Sequence, residues 1–242
     1  MDAVPEHRLA RAGGRQALIE EAAAIVKTIS RVIEPRWDGR TKIIEMRDSG
    51  STQWRQMEWI GFYFEEIALR ALFSSYGGEP GPKYGRTTFD YQCRFVWDLK
   101  AHPSNGGSPQ SILNDHDAIR GCLRDTGAFG VVVLEGHAEY DENGSFKDWH
   151  DAIKGGRSQY ELERVARGAG SRRRKTAFTP SRCFAVAFNG ETEFDRAIRE
   201  RWVATGFQKG MRNEGGAPRN AKVTIRPDLV PSSRMVVTAF DR

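Results

Sequence analysis

Asp90-Tyr91-Gln92-Cys93-Arg94-Phe95-Val96-Trp97-Asp98-Leu99-Lys100-Ala101-His102 is the stretch on which the reading of the fold turns. From Arg94 onward the residue types follow a period of two, which predicts a strand. Phe95, Trp97, Leu99 and Ala101 share one face, and Arg94, Asp98, Lys100 and His102 share the other. A half-buried strand with a polar face is therefore expected. Residues 98 and 100 project from the same side, so a carboxylate and an ammonium address one region of space.

Outward from that strand the period changes. Upstream, Leu18, Ala22, Ile25 and Ile29 recur at spacings of three and four, predicting a helix over 15–33. After the loop that begins Asp48-Ser49-Gly50, a second helix is expected over 54–76, closed by Gly77-Gly78. Downstream, Pro103 to Pro109 reads as a loop, 111–126 as a helix, and Val131 to Leu134 as a strand. Further strands are expected over 184–188, 223–226 and 235–240, with a helix over 191–204. The fold class that follows is α/β, a mixed central β-sheet flanked by helices. The chain is expected to form one domain: 1–50 an N-terminal helical arm, 51–150 the catalytic core, and 151–242 basic α+β additions.

Composition narrows the function classes. With 242 residues, 39% apolar and 29% charged, the chain has enough apolar surface to order itself, so global disorder is excluded. No apolar run approaches the roughly 18 residues of a membrane span, and the N-terminus lacks a secretory apolar region. No membrane association and a cytoplasmic site are expected. Cys93, Cys122 and Cys183 are odd in number and widely spaced, as expected of reduced core residues rather than a disulfide framework or a zinc site.

Charge is unevenly divided. Residues 1–150 hold 18 Lys/Arg and 22 Asp/Glu, a balance of −4; residues 151–242 hold 19 and 10, a balance of +9, and together these give the net +5. A polyanionic partner suits such a half. Arg172, Arg173, Arg174 and Lys175 read as a basic loop able to follow a phosphate backbone, with a solvated run as the alternative. Arg212, Arg219 and Arg226, in a Gly/Asn-rich segment, are the candidates to reach base edges.

The chemistry gathers around the opening strand. Magnesium is commonly held by one or two carboxylates, with waters and substrate phosphate completing its shell, and Asp90 and Asp98 can supply those carboxylates. A lysine beside the ion can position the attacking water and offset charge growing on phosphate. Each residue also has a structural alternative: a surface ion pair for Asp98 and Lys100, a turn for Asp90, and the solvated side of a helix for Glu65 or Glu66. Asp115, His116 and Asp117 lack a second histidine at ligand spacing and read as a helix start. A phosphate-binding loop, a dinucleotide fingerprint and a serine-hydrolase elbow are absent from the sequence, so no nucleotide cofactor is expected.

At these residues the sequence resembles the PD-(D/E)xK nuclease superfamily, which includes many type II restriction endonucleases. The match is D-x7-D-x-K from Asp90 to Lys100, preceded by Gly61-Phe62-Tyr63-Phe64-Glu65 on the upstream helix, and it covers roughly residues 54–135. The resemblance implies a restriction-endonuclease-like core and a metal-dependent phosphodiesterase. Asp90 and Asp98 would be its metal carboxylates, Lys100 would stand by the attacking water, and Glu65 would be an accessory acid. It implies Mg2+ as cofactor with Mn2+ able to substitute, double-stranded DNA as substrate, and a homodimer. Phe89 stands where the family has proline, and Gln92-Cys93 is a poor tight turn, which leaves one bent strand carrying both aspartates as an option. The alternatives are a structure-specific or repair nuclease with the same core, and a non-catalytic nucleic-acid-binding protein.

Overall fold

The computed structural model describes residues 14–106, 110–157, 159–168, 173–207 and 220–240. Within them the chain runs α1 (Arg15–Ser30), β1 (Trp37–Asp38), α2 (Gly39–Asp48), α3 (Trp59–Tyr76), β2 (Lys83–Tyr84), β3 (Thr87–Thr88), β4 (Tyr91–Gln92), β5 (Val96–Pro103), β6 (Ser111–Asp115), α4 (His116–Thr126), β7 (Ala128–Tyr140), α5 (Ser145–Ile153), α6 (Gln159–Ala166), β8 (Lys175–Asn189), α7 (Glu191–Arg199), β9 (Val203–Gly206), β10 (Lys222–Ile225) and β11 (Met235–Ala239). The class is mixed α/β.

The main sheet has the order β1-β8-β7-β5-β4, with β11 also paired to β8. Strands β5 and β7 are parallel, with α4 in the crossover between them, and the other pairings are antiparallel. Two smaller sheets, β6-β10-β9 and β2-β3, lie beside it.

Both faces of the main sheet are covered. On one side Trp97 and Leu99 of β5 and Val132 and Leu134 of β7 join Leu18, Ile25 and Ile29 of α1 and Phe64 and Leu72 of α3. On the other, Val96, Val131, Val133, Phe184 and Val186 join Ile119 and Leu123 of α4, Phe194 of α7 and Val223 of β10. Strand β5 is thus buried on both faces at its start, not half-buried as alternation alone predicts. A strand parallel to its neighbour needs both faces covered. Burial of each large side chain contributes roughly 1.5–3 kcal/mol, so these two layers are the main source of stability.

Gly130 on β7 lies beneath the Trp97 ring, where a Cβ would collide with ring carbons, so glycine is what lets the indole lie flat against the next strand. The left-handed residue Gly127 (φ 78°) ends α4, its N–H donating to Leu123 O at 3.0 Å.

Several expectations are corrected. Residues 111–126 are not one helix: Ser111–Asp115 is a strand because it pairs with β10 (Ile112 with Thr224), a partner more than a hundred residues away that local periodicity cannot show. The helix begun at Glu191 ends at Arg199; Arg201 takes φ 64° and the chain turns into β9. The second helix starts at Trp59, after a short turn over Gln53–Arg55. Residues 15–50 are no arm: α1 fills the core, and buried Trp37 pairs with Phe178 of β8. Nor is 151–242 an addition, since it supplies β8, the strand between β7 and β1. Cys122 and Cys183 are buried as expected, whereas Cys93 is exposed in the β4–β5 turn.

Candidate active site at the end of strand β5

The two aspartates stand on opposite arms of a hairpin, Asp90 just before β4 and Asp98 within β5. Strands β4 and β5 form a hairpin in which Tyr91 pairs with Trp97 and Gln92 with Val96, so the single bent strand is excluded. Its turn, Cys93-Arg94-Phe95, is closed by Cys93 N–H donating to Phe95 O at 3.2 Å. It is also held from outside. Glu21 of α1 accepts from Phe95 N–H at 3.1 Å and from the Trp97 indole N–H at 2.8 Å. Burial raises the Glu21 carboxyl despite those donors.

The hairpin continues one step beyond β4, with Asp90 N–H donating to Trp97 O at 3.2 Å, which sets Asp90 beside Asp98. The Asp90 carboxylate is fixed by the Leu99 backbone N–H, which donates to Oδ2 at 2.6 Å. Asp98 is fully buried, and its Oδ1 accepts from the Asn114 side-chain amide of β6 at 3.1 Å. Oδ2 of Asp98 lies 2.6 Å from Lys100 Nζ, a close ion pair. Lys100 Nζ also lies 3.6 Å from Asp90 Oδ2 and donates to Leu99 O at 3.1 Å.

These groups shift one another. Burial raises the Asp98 carboxyl, with Lys100 opposing and Asp90 reinforcing the change. Burial draws Lys100 down, but Asp98 and Asp90 beside it outweigh that and leave it raised. Glu65, on α3, is pushed up to about 7 by burial and by the charge of Asp90, against the pull of Lys100. Of the two acids of α3, Glu65 is the one that feels the charges of Asp90 and Lys100. Glu66 is engaged elsewhere, accepting from Ser49 Oγ at 2.7 Å and from Arg70 at 2.9 Å. Asn114 was not legible in the sequence, because its segment reads there as helix.

No family model matches the chain, and no curated protein or solved structure matches it.

Among the described residues no group of three or more His, Cys, Asp or Glu is arranged to hold a metal ion. Asp90 and Asp98 are two carboxylates on one lysine, each held in place by a donor of the fold, Leu99 N–H and the Asn114 amide. That donor set fits magnesium, which takes one or two carboxylates and keeps water in the rest of its shell.

The basic residues divide. Arg172, Arg212 and Arg219 lie outside the described residues. Arg173 is exposed, pairs with Glu142 and stacks over Tyr140 at 5.1 Å. Arg174 corrects the expected loop. It is buried, 3.0 Å from Glu161 and 4.0 Å from Asp151, in a cluster where Lys147 and Lys154 also bind Asp151. Lys175 opens β8 and pairs with Glu58. Two of the four expected loop cations are thus committed within the fold. Arg226 follows β10; with the Gln110 amide turned so that it donates to Thr224 Oγ1, the Gln110 oxygen accepts from Arg226 at 3.1 and 3.2 Å.

Other residues find structural roles. His116 opens α4 and contacts Asp117 at 3.1 Å and Arg120 at 3.2 Å. Asp115, which precedes it, makes no side-chain cap and instead pairs with Lys222. Trp149 and His150 lie on α5, with His150 buried and hydrogen-bonded to Trp54 O at 2.8 Å. A groove of about 730 Å³ opens between α2 and α3 beside Trp149, but it excludes Asp90, Asp98 and Lys100. Two of its acids are already engaged, Glu45 by Lys42 and Tyr63 and Glu66 by Ser49 and Arg70, so it is a weaker candidate for chemistry.

Proposed function

We propose that the chain is a Mg2+-dependent endonuclease that hydrolyses phosphodiester bonds of duplex DNA, of restriction type and acting as a homodimer. The observation that supports this reading is the convergence of Asp90, Asp98 and Lys100, with Glu65 beside them, where β5 passes from buried to half-exposed. Asp90 and Asp98 both lie against one lysine, Asp98 fully buried, and each buried charge costs several kcal/mol in desolvation. Perturbed acids clustered in this way point to a reaction site.

Asp90 and Asp98 would hold the ion, each carboxylate pre-oriented by a donor from the fold, Leu99 N–H and Asn114 respectively. When bound, Mg2+ would supply Lewis acidity at a phosphate oxygen and ease deprotonation of water. Lys100 orients the attacking water for in-line displacement and offsets the charge that grows on phosphate. With its carboxyl near 7, Glu65 takes up or releases a proton at neutral pH. A symmetric dimer would bring two such sites to the two strands of a palindrome.

The test is incubation of the purified protein with a long duplex and Mg2+, beside a chelator control. Discrete fragments support a sequence-specific enzyme, and a smear supports cutting without sequence choice. Binding with no cutting in any divalent ion would leave a nucleic-acid-binding protein and sink the enzymatic reading.

A further inference from the structure

Strand register extends the candidate site sideways. On the face of β5 that carries Asp98 and Lys100, Lys100 is level with Val133 of β7, which is level with Phe184 of β8. The next row toward the C-terminal end of β5 is His102, Glu135 and Arg182. This is the end at which β5 changes from buried to half-exposed, and ligands of parallel strands bind outside such ends. Glu135 is a carboxylate with 8% of its side chain exposed, and its Oε2 accepts from Arg182 Nε at 2.5 Å. Arg182 lies over the Phe184 ring at 5.3 Å and keeps 32% of its side chain exposed. Its other acidic neighbour is Asp228, at 3.4 Å and 78% exposed.

Beyond its contact with Glu135, the Arg182 guanidinium reaches solvent. Glu135 holds the inner edge of the Arg182 fork, the aromatic ring supports its plane, and the looser Asp228 contact is one that a stronger anion displaces. A guanidinium has five N–H donors, and the two contacts use only Nε and Nη2. An oxyanion with paired oxygens suits the rest. Rows two residues apart are about 6.6 Å apart along a strand, and two strand spacings add about 10 Å across the sheet. An arginine at that displacement reaches a phosphate near the one held at Lys100, not the same one.

We infer that Arg182, held by Glu135, is a phosphate-contacting residue that binds the nucleic-acid backbone beside the cleaved linkage. This rests on the nuclease reading and adds to it a substrate-binding position that the sequence did not single out.

The experiment measures binding of a labelled duplex in Ca2+ at several salt concentrations, and cleavage in Mg2+, for wild type, Arg182→Gln, Arg182→Lys and the double variant Glu135→Gln/Arg182→Gln. The double variant removes both charges of the pair together, so that no buried charge is left unpaired. Arg182→Gln and the double variant should lower the slope of log affinity against log salt by about one and raise KM about tenfold, with kcat within about threefold. Arg182→Lys should restore the slope, because it restores the charge. A fall in thermal stability with an unchanged salt slope in the double variant would make the pair structural and overturn the inference. A wild-type protein that neither binds nor cuts DNA would instead overturn the nuclease reading beneath it.

Discussion

The ammonium of Lys100 lies 2.6 Å from Asp98 Oδ2, on a strand buried from both sides. A lysine that only neutralised Asp98 would serve equally well buried. Lys100 instead keeps 27% of its side chain exposed, and it reaches Asp90 on the neighbouring strand as well.

Lys100→Ala and Asp98→Asn should each lower cleavage in Mg2+ by at least about a hundredfold, the scale expected for a group acting on the reacting water or phosphate. Binding of the duplex should stay within about threefold, because neither group reads base edges. Plasmid cleavage and fluorescence anisotropy on the same preparations check this. Near-wild-type cutting by Lys100→Ala would remove the site assignment.

Among divalent ions, Mg2+ and Mn2+ should support cleavage, whereas Ca2+ should support binding with little or no cutting. Calcium accepts the same oxygen donors at longer distances and in looser geometry. Cleavage undiminished by a chelator would exclude a carboxylate-held ion.

Glu21 should act on the reaction only through the hairpin. Glu21→Ala leaves the Phe95 N–H and the Trp97 indole N–H without their acceptor, costing about 1–3 kcal/mol for each group left buried and unpaired. The expected result is a lower Tm and a lower kcat, with KM little changed. Glu21→Gln, which keeps an acceptor oxygen, should recover most of both.

Gly130→Ala should cost about 1–3 kcal/mol, because the new methyl group enters the space of the Trp97 ring. Chemical denaturation measures it. A variant as stable as wild type would mean that the indole moves aside without penalty.

His150 should make the protein acid-sensitive. Its pKa is lowered to about 4, first by burial and further by the nearby charges of Lys154 and Arg174, against the hydrogen bond to Trp54 and the charge of Asp151. The fold therefore prefers the neutral ring, and the unfolded chain binds the proton more readily. The stability from this residue is fully present above the ordinary histidine value of about 6.5 and is lost as pH falls toward 4, up to about 3 kcal/mol. His150→Gln should flatten stability against pH across that window. An unchanged profile would place the acid sensitivity in other groups.

The candidate chemistry was legible where it follows a local period. Asp98 and Lys100 share a face because strand side chains alternate, whereas the place of Asp90 beside them depends on the hairpin register that sets Tyr91 against Trp97. Only the resemblance singled out Glu65; helical periodicity does not separate it from Glu66, since that depends on the rotation of α3 against β4 and β5. Asn114 was hidden because β6 exists only through its pairing with β10. Arg174 misled for a different reason: four consecutive basic residues read as solvated, and only the acids of α5 and α6 show that one of them is interior. Strand β5 looked half-buried because its second apolar layer comes from α4, α7 and the small sheet, all later in the chain.

The long β7–β8 hairpin bears on how this protein can vary. Tyr140 pairs with Lys175, and Asp141 N–H donates to Arg174 O at 2.9 Å, so everything between those residues leaves and re-enters the sheet at one point. Topologically, α5 and α6 are the loop of a hairpin. Since loop closure depends only weakly on length, that excursion can grow, shrink or be exchanged without disturbing the register that aligns Lys100 with Val133 and His102 with Glu135. What limits such exchange is the inner side of α5 and α6: Phe146, whose ring packs against Gly39 in the core, His150 on Trp54 O, and the acids that hold buried Arg174. A replacement segment that supplies an apolar plug at that point gives a natural position for grafting new surface onto an unchanged sheet.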